Sequence, residues 1–420
     1  MSAIPTIGTV RPYDVVILGA GYAGLMAALR LGPSKGRLRI ALVSPRPDFL
    51  ERVRLQESIV APVTSRIPSI AAFLAGTNVE FIRGSVTSLD AAQRRIRIAT
   101  ETQDREIAFD QAIYALGSTI DVDVVPGVAE HAYRLESGDG PRSAAALRAR
   151  LRDNDNRPIR VVTVGGAETG VEVAGEIKTA WPKAEVIMVS RSRCGDFKGA
   201  RVENAVRADL TRLGVQLLDG ETVTEVRPAE VLTDQYHSIA CDICVWSGGL
   251  RAPPLAGDAG VATDPQGRIL VDPNLRSVSH PHILAVGDAA HPIAPTGAPY
   301  RMSAFAALVT GAYAADAIMA QRAERPLTPF SFATFGQGIA IGPGGVGFLS
   351  YPDDRQSLFI LRGRSAYHVR NIFVWLVSYV LKLERRFPGS FFWLGRRRVS
   401  WQQANDAIQK VETAGKVRTA

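Results

Sequence analysis

Two segments of the chain share one local pattern, in which an apolar strand runs directly into a glycine-rich turn and a helix. The first is YDVVILGAGYAGLMAALRL, residues 13–31. Val15–Leu18 is a continuous apolar run, as expected for a strand buried on both faces of a parallel sheet. Gly19, Gly21 and Gly24 follow in G-x-G-x-x-G spacing. In this context the spacing predicts a turn that holds a dinucleotide pyrophosphate at a helix N-terminus, rather than a packing turn without a ligand.

The second segment is RPIRVVTVGGAETGVEVAGEIK, residues 157–178. Gly165 and Gly170 hold the outer positions of the same spacing. Ala167 takes the middle position, beside Gly166. Alanine adds only one methyl group where the backbone meets phosphate, so we predict a second dinucleotide site.

The strand after each turn ends in a serine where NAD-binding units carry an acid. These residues are Ser44 and Ser190. Arg191 and Arg193 flank Ser190, and arginine attracts the 2′-phosphate that an acid repels. We therefore predict that NADPH is used at least as well as NADH, with solvated surface charge as the alternative reading of both arginines.

Two dinucleotide units predict two nucleotides held face to face, one a bound flavin and the other a diffusing nicotinamide. A third stretch, GRILVDPNLRSVSHPHILAVGDAA (residues 267–290), supports this prediction. Its strand Ile283–Val286 is expected to end at Gly287–Asp288 and to open another helix. Asp288 would then accept a ribityl hydroxyl, cap the helix, or do both.

The ordered motifs GAGYAGL, YALGS, GGAETGVEVAGE, VWSGG and ILAVGDAA resemble those of the two-dinucleotide-binding-domain flavoproteins. PFSFATFGQGIAIG, residues 329–342, is similar to the C-terminal signature of one branch, the type II NADH dehydrogenases and apoptosis-inducing-factor-like quinone reductases. The resemblance covers about residues 12–345. It implies an enzyme that binds FAD, accepts hydride from NAD(P)H and passes two electrons to a quinone.

The expected fold is α/β, with two Rossmann-like domains and a C-terminal domain that carries an amphipathic membrane- or interface-binding segment. The expected boundaries are residues 12–120 and 251–322 for the FAD domain, 121–250 for the NAD(P)H domain, and 323–420 for the C-terminal domain with its basic aromatic segment 361–401.

The resemblance and the motifs together give the expected site residues. For FAD and the flavin these are Gly19, Ala20, Gly21, Tyr22, Ala23, Gly24, Ser44, Arg46, Arg52, Val86, Ala115, Leu116, Gly117, Gly287 and Asp288. For NAD(P)H they are Gly165, Gly166, Ala167, Glu168, Thr169, Gly170, Ser190, Arg191, Arg193 and Gly248. The expected catalytic residues are Glu172, Tyr300 and Arg301.

Glu172 matches a glutamate near the flavin–nicotinamide junction, although a helix carboxylate satisfied by backbone donors fits the sequence equally well. The branch also places an A-Q-x-x-x-Q-G pattern on the helix after Asp288, where its glutamines line the quinone site. This chain has AFAALVTG there, with Phe305 and Val309 at the glutamine positions. An apolar wall can still hold a quinone ring, and Tyr300 and Arg301 are then the candidates to hydrogen-bond its carbonyl.

The three cysteines, Cys194, Cys241 and Cys244, are too few for a disulfide scaffold and indicate a reducing, cytoplasmic compartment. CDIC at 241–244 invites a redox reading, but residues three apart on a strand point to opposite faces, so we expect no functional thiol. No cysteine precedes Cys194, which argues against a disulfide or sulfide:quinone reductase. The cysteine and histidine spacing predicts no metal site.

The positive charge of the chain is concentrated near its C-terminus. Residues 361–398 hold nine Lys/Arg and one Glu, whereas the rest of the chain is balanced, so nucleic acid is not an expected partner. Apolar residues from 369 to 383 recur at helical spacing, and FFWLGRRR (391–398) places aromatic rings beside arginines. We expect no transmembrane helix, a peripheral site on the cytoplasmic membrane face, and a frayed end at 402–420. The alternatives for the segment are a homodimer interface and an amphipathic helix packed on the protein's own core.

Three functions fit the sequence. The first is a FAD-dependent NAD(P)H:quinone oxidoreductase. The second is a soluble flavoenzyme that acts on a small aromatic metabolite or a redox protein, and the apolar Phe305 and Val309 favour it. The third is a flavin-binding redox sensor that turns over slowly.

Overall fold

The computed structural model describes residues 11–33, 38–138, 140–154, 158–195, 199–294, 300–333, 336–350, 356–395 and 401–418. Its strands are β1 Tyr13–Leu18, β2 Ile40–Ser44, β3 Val79–Arg83, β4 Ser85–Asp90, β5 Arg95–Ala99, β6 Arg105–Tyr114, β7 Thr119–Ile120, β8 Ala132–Arg134, β9 Arg160–Val164, β10 Glu185–Ser190, β11 Val215–Asp219, β12 Val223–Val226, β13 Glu230–Thr233, β14 Ser238–Ala240, β15 Ile243–Trp246, β16 Leu250–Arg251, β17 Ile269–Leu270, β18 Ile283–Ala285, β19 Ala290–His291, β20 Gly336–Ile341, β21 Gly344–Ser350 and β22 Gln356–Arg362.

The α-helices are α1 Tyr22–Leu31, α2 Ile70–Leu74, α3 Val128–His131, α4 Ala144–Arg152, α5 Glu168–Ala180, α6 Ala200–Leu213, α7 Leu255–Asp258, α8 Ala304–Arg322, α9 Gly363–Arg386 and α10 Trp401–Arg418. Two 3-10 helices cover Arg52–Ile59 and Gly287–Ala289.

Two parallel sheets form the framework. In the first, the order is β3-β2-β1-β6, and β18 pairs with the other edge of β6, while β4 and β5 extend β6 as an antiparallel meander. In the second, the order is β11-β10-β9-β15-β8, and every pairing is parallel. Each order places the strand that precedes the glycine turn, β1 or β9, at the centre, as in doubly wound folds, so each turn leaves the carboxyl edge of its sheet.

The chain crosses between the two sheets at the antiparallel pair β7–β16. After the second sheet, β18 pairs with β6 of the first sheet. The first sheet therefore contains strands from before and after the part of the chain that forms the second sheet. A third, antiparallel sheet, β20-β21-β22, packs against α5 of the second unit. Helix α9 lies on this third sheet and also contacts α1 of the first unit.

Helices α1 and α8 pack closely on the first sheet. A Cβ on Gly311 would overlap the Ala23 carbonyl oxygen, so only glycine permits this approach. Among the described helices, α8 alone is long and apolar enough to cross a bilayer, but 67% of its apolar window is buried inside the protein. That burial is typical of a core helix.

Two local expectations were wrong. The strand at 283 ends in a single 3-10 turn and not a helix, because Pro292 cannot continue one, and α8 begins only at Ala304 after its Ser303 cap. Residues 401–418 are helical and bury Ala404 and Ile408 rather than fraying. Helix α9 is present where the apolar spacing predicted a helix. It buries Ala366, Arg370, Val374, Val377 and Leu381, and it leaves Ile372 and Phe373 of the apolar stripe exposed.

Candidate active site

The first glycine turn has the shape of a phosphate cradle. Gly19 has φ of +101°, and a Cβ there would meet the Ala115 carbonyl, while a Cβ on Gly24 would overlap the Gly19 carbonyl oxygen. Around Gly21, by contrast, a Cβ would meet no atom within 4 Å. The outer glycines therefore serve close packing, and the middle one leaves open space at the start of α1 for a ligand.

The motif YALGS lies beside this turn and beside Asp288. Ser118 donates a hydrogen bond to the Asp288 carboxylate at 2.8 Å, and the Arg52 guanidinium donates to the Ser118 carbonyl oxygen. The backbone N–H of Gly287 donates to Thr310 of α8 at 2.9 Å. The 3-10 turn that contains Asp288 has Val286 at its N-cap position and no side-chain cap. The segments that follow β6 and β18 are thus linked through the half-buried carboxylate of Asp288.

Arg46 and Arg52 lie close to each other, near Gly117 of the YALGS motif. Desolvation and the neighbouring Arg52 charge lower the pKa of Arg46, although its side chain keeps access to solvent. Ser44 is buried at the end of β2, and Val86 is half-buried at the start of β4. Close cations beside an open glycine turn favour an anionic ligand, so these residues fit the pyrophosphate and flavin of FAD.

The other expected FAD residues surround the same turn. Ala20, Tyr22, Ala23 and Ala115 are buried, Leu116 and Gly117 are half-buried, and Gly117 has φ of +72°. Gly117 and Arg52 lie close together, because a Cβ at Gly117 would be 3.9 Å from the Arg52 guanidinium.

The second glycine turn repeats the first. Gly165 has φ of +114°, and a Cβ on Gly170 would overlap the Gly165 carbonyl oxygen. Gly248 lies against the turn, because a Cβ on Gly165 would come within 3.2 Å of its backbone nitrogen. Ala167 takes the N-cap position of α5 without a side-chain cap, which leaves the N–H groups of the first turn available to a phosphate. Gly166 packs against Ser190, and Glu168 and Thr169 begin α5.

The residues around Ser190 differ in what they contact. Ser190 is buried at the end of β10. Arg193 pairs with the carboxylate of Glu203 on α6, a partner that the sequence analysis did not identify. Arg191 is exposed and has no ion pair or hydrogen bond among the described residues. Arg191 is therefore the arginine that is better placed to meet a diffusing anion.

An aromatic cavity lies between the Asp288 loop and the C-terminal segment. Tyr300 and Phe330 are in edge-to-face contact at 5.5 Å, and Tyr300 and Phe332 are 5.9 Å apart. The residues that line the cavity are Gly287, Ala290, Pro292, Tyr300, Arg301, Met302, Ala306, Thr310, Phe330 and Phe332.

Phe305 and Val309, the apolar residues expected at the quinone site, are not among the residues that line this cavity. Val309 is completely buried in the core, and Phe305 packs on Phe332 and Phe391 instead of lining the cavity. One turn of α8 places Ala306 and Thr310 on the cavity side. Phe330 and Phe332 supply the aromatic rings, and the sequence analysis used Phe330 only as part of a signature.

Arg301 and Glu172 connect the cavity to the second unit. The Arg301 guanidinium is 3.5 Å from Glu168 at the start of α5. One turn later, the Glu172 carboxylate accepts the Ala340 backbone N–H at 3.0 Å and pairs with Arg370 of α9 at 3.2 Å. Burial raises the pKa of Glu172, and the Arg370 charge partly offsets that effect.

Arg370 is the residue that sequence reasoning missed. Its side chain is 6% exposed, and it also contacts Glu57 at 3.5 Å and donates to the Val53 carbonyl oxygen at 3.2 Å. One signal was present, because an arginine within the apolar stripe of a helix requires a buried partner.

All three cysteines are buried. Cys241 and Cys244 are both buried in one apolar cluster, not on opposite faces as expected, because Cys241 precedes β15 rather than lying in it. Both thiols and that of Cys194 are free. Burial raises the pKa of Cys241 to about 11 and that of Cys194 to about 12, so neither is a thiolate at neutral pH. Within the described ranges, no group of three or more His, Cys, Asp or Glu side chains could hold a metal ion.

The C-terminal segment is partly packed and partly exposed. Phe391 is buried, and Trp393 donates to the Ser331 carbonyl oxygen at 3.0 Å. Phe392 is 79% exposed, and Ile372 and Trp375 of α9 are 61% and 48% exposed. The three final arginines of FFWLGRRR lie outside the described residues.

Known proteins share both the sequence pattern and the fold. The profile of the pyridine nucleotide-disulphide oxidoreductase family matches residues 13–311. An NADH dehydrogenase-like protein of Mycobacterium tuberculosis is 29% identical over 298 residues, 66% of this chain and 72% of that protein. The demethylphylloquinone reductase NdbB of Synechocystis is 25% identical over 347 residues, 79% and 85% of the two chains. The sulfide:quinone oxidoreductase of Aquifex aeolicus has the same fold, with a TM-score of 0.76, 17% identity, and coverage of 89% of this chain and 95% of that one.

Proposed function

Because the chain belongs to the pyridine nucleotide-disulphide oxidoreductase family, we propose that it takes hydride from NAD(P)H and passes two electrons to a quinone. The observation that carries the acceptor is the aromatic cavity beside Asp288. Aromatic walls with the polar groups of Tyr300, Arg301 and Thr310 suit a quinone ring. The Arg301–Glu168 contact brings the cavity next to the start of α5. The relative named demethylphylloquinone reductase supports the same acceptor class.

The residues have distinct roles in this proposal. The turn at Gly19, Gly21 and Gly24, with Asp288 and Arg52, holds FAD. FAD, when bound, supplies the two-electron chemistry that the protein side chains lack. The turn at Gly165 and Gly170, with Gly248, holds NAD(P)H so that its nicotinamide faces the first unit.

NADPH is the favoured nicotinamide in this proposal. No acid stands at the end of β10, where a carboxylate would repel a 2′-phosphate. Arg191 is exposed and has no ion pair within the described part of the chain, so it can attract that phosphate, whereas Arg193 is already paired with Glu203.

The exposed face of α9 is the proposed membrane contact. Ile372, Phe373, Trp375 and Tyr379 are exposed together on this helix, and Trp375 stacks on Tyr379 at 4.6 Å. Lys382, Arg385 and Arg386 follow on the next turns. Aromatic rings beside basic residues suit an anionic lipid interface, which would place the enzyme on the cytoplasmic membrane face.

Anaerobic absorbance measurements on the purified yellow protein test the reaction. We expect NADPH to bleach the flavin bands and a short-chain quinone to restore them. Bleaching that another small oxidant reverses but the quinone does not would refute the quinone acceptor and favour a soluble one. Absence of bleaching by both NADPH and NADH would refute the nicotinamide role.

A further inference from the structure

The loop that follows β10 is held against the second glycine turn. The backbone N–H of Gly195 donates to the Gly166 carbonyl oxygen at 2.9 Å, and a Cβ on Gly166 would be 3.0 Å from the Cα of Cys194. The Cys194 backbone N–H also donates to the carboxylate of Asp219, at the end of β11, at 2.8 Å. Arg193 directly precedes Cys194, so its backbone is fixed beside the turn that is proposed to hold NAD(P)H.

The carboxylate that pairs with Arg193 comes from the next helix. Glu203 lies in the first turn of α6, and it accepts a hydrogen bond from the Arg193 guanidinium. The Glu203 side chain is 10% exposed, whereas that of Arg193 is 59% exposed. The pair thus joins a nearly buried anion on a helix to a cation that still reaches solvent.

Stability alone gives a partial account of this pair. A carboxylate in the first turn of a helix interacts favourably with the helix dipole, with or without a cation beside it. An ion pair with one partner as exposed as Arg193 contributes little to stability. Neither effect distinguishes NADPH from NADH, so a purely structural pair should leave the choice of nucleotide unchanged.

A 2′-phosphate would compete with Glu203 for the same cation. Phosphate and carboxylate both bind a guanidinium through charge-assisted hydrogen bonds, often two at a time. If the phosphate draws Arg193 away, the nearly buried Glu203 carboxylate loses its counter-charge, which is unfavourable. NADH has a hydroxyl in place of this phosphate and makes no such demand. Glu203 therefore opposes the binding of NADPH and leaves that of NADH unaffected.

We propose that Glu203 is a specificity-determining residue, which competes with the 2′-phosphate of NADPH for Arg193. It keeps the affinities for NADPH and NADH closer together than Arg191 and Arg193 alone would make them. Glu203 acts only by positioning Arg193, and no covalent bond forms or breaks. This role rests on the proposed function, since it concerns the choice of nicotinamide nucleotide in that reaction.

Calorimetric titration of the holoenzyme tests the competition without hydride transfer. The ligands are NADPH, NADH, 2′,5′-ADP and 5′-AMP, and the last two differ only in the 2′-phosphate. In Glu203→Gln we expect NADPH and 2′,5′-ADP to bind about tenfold more tightly, the lower end of what a hydrogen bond to a charged group contributes, with little change for NADH and 5′-AMP. Glutamine has nearly the same size as glutamate, and the exposed Arg193 tolerates the loss of its partner.

A double-mutant cycle assigns the effect to Arg193. On the Glu203→Gln background, Arg193→Ala should abolish the gain in NADPH affinity, whereas in the wild type Arg193→Ala should change it little. Glu203→Asp keeps the charge but shortens the side chain, so its gain should lie between those of the wild type and Glu203→Gln. Should Glu203→Gln fail to fold, this smaller gain carries the test.

The matched control removes a carboxylate from another ion pair of the second unit. Glu185 starts β10, at the end of the strand away from the glycine turn, and pairs with Arg160 at 2.8 Å. Glu185→Gln removes the same charge as Glu203→Gln, but it should leave the affinities for all four ligands unchanged.

Several results would overturn the role of Glu203. Unchanged 2′,5′-ADP binding in Glu203→Gln, or an equal gain for 5′-AMP, would show that Glu203 does not act on the 2′-phosphate. A loss of NADPH affinity would show that Glu203 orients Arg193 toward the phosphate instead of competing with it. A gain that survives Arg193→Ala would exclude Arg193 as the intermediary, and a lower melting temperature with unchanged affinities would show a merely structural pair.

Failure of the proposed function is recognised separately. If neither NADPH nor NADH reduces the flavin of the wild type under anaerobic conditions, the proposed function fails. If both reduce it and the Glu203 variants keep the wild-type affinities, only the role of Glu203 fails.

Discussion

At the scale of single residues, neighbours of the same type have different surroundings and hence different expected roles. Arg191 and Arg193 are two positions apart, yet Arg193 is paired with Glu203, whereas Arg191 is exposed and has no ion pair among the residues that the structure describes. Glu172 and Glu176 are one helical turn apart, yet Glu172 is held directly by Arg370, whereas Glu176 is half-buried near the carboxylates of Glu172 and Glu57. Residue type and spacing alone do not distinguish these cases.

The exposed side chain of Arg191 makes the preference for NADPH over NADH testable. In Arg191→Ala, NADPH should bind about tenfold or more weakly, because a hydrogen bond to a charged group contributes about 1.5–3 kcal/mol, and NADH binding should change little. Arg193→Ala is the matched control and should cost less, since its charge is already neutralised by Glu203. Fluorescence titration with each nucleotide checks this, and equal losses for NADPH and NADH in Arg191→Ala would contradict it.

Glu176 predicts the direction in which stability depends on pH. Its pKa is about 7 in the folded protein and near the ordinary glutamate value of 4.5 in the unfolded chain, so the folded state binds the proton more tightly. The stability this proton confers is complete below about 4.5 and is lost as the pH rises through 7. Glu176→Gln cannot ionise, so its melting temperature should fall less than that of the wild type between pH 5 and pH 8. Parallel curves for the two proteins would show that Glu176 is already ionised throughout.

At the scale of secondary structure, the sequence predicts elements well where one local pattern decides them. Val15–Leu18 and Gly19–Gly24 specify a buried strand and its turn without help from the rest of the chain, and the structure has both. The motif ILAVGDAA predicted a helix after Asp288. The structure has a single 3-10 turn there, because Pro292 cannot continue a helix.

The other features that the sequence did not predict depend on contacts between residues that are far apart in the chain. Arg370 lies 198 positions from Glu172, and no local pattern can pair two side chains so far apart. The buried face of α9 is likewise set by the third sheet and α1, not by its own apolar spacing. The end at 401–418 orders because Ala404 and Ile408 find an apolar surface, which sequence position alone does not reveal.

Helix α9 carries a prediction about membranes. The double variant Ile372→Ser, Trp375→Ser should sediment less with anionic liposomes, because both side chains are exposed and removing them deletes apolar surface available for insertion. Its melting temperature should stay close to that of the wild type. Tyr236→Ser is the control, since Tyr236 is 99% exposed on the second unit and outside this face. Equal sedimentation of all three proteins would contradict the membrane role of α9.

At the scale of the whole molecule, the C-terminal segment ties the two nucleotide units together. Arg370 reaches Glu172 of the second unit and Glu57 of the first. At the other end of α9, the completely buried Glu384 accepts the Gly389 and Phe391 backbone N–H groups and lies 3.5 Å from Arg30 of α1. The buried charges of Arg370 and Glu384 thus fix the position of α9 on the protein, while the opposite face of the helix is exposed. The predicted boundaries near 120 and 250 fall at the β7–β16 crossing, although they remain predictions.

We propose that this one chain couples nicotinamide oxidation to quinone reduction at a lipid surface. The most direct measurement is NADPH and NADH consumption by the purified yellow protein with a short-chain quinone, with and without anionic liposomes. We predict quinone-dependent turnover that is faster with NADPH and that rises when liposomes are added. A flavin that NADPH reduces but that is indifferent to both quinone and lipid would contradict the account and would make the aromatic face of α9 a protein interface.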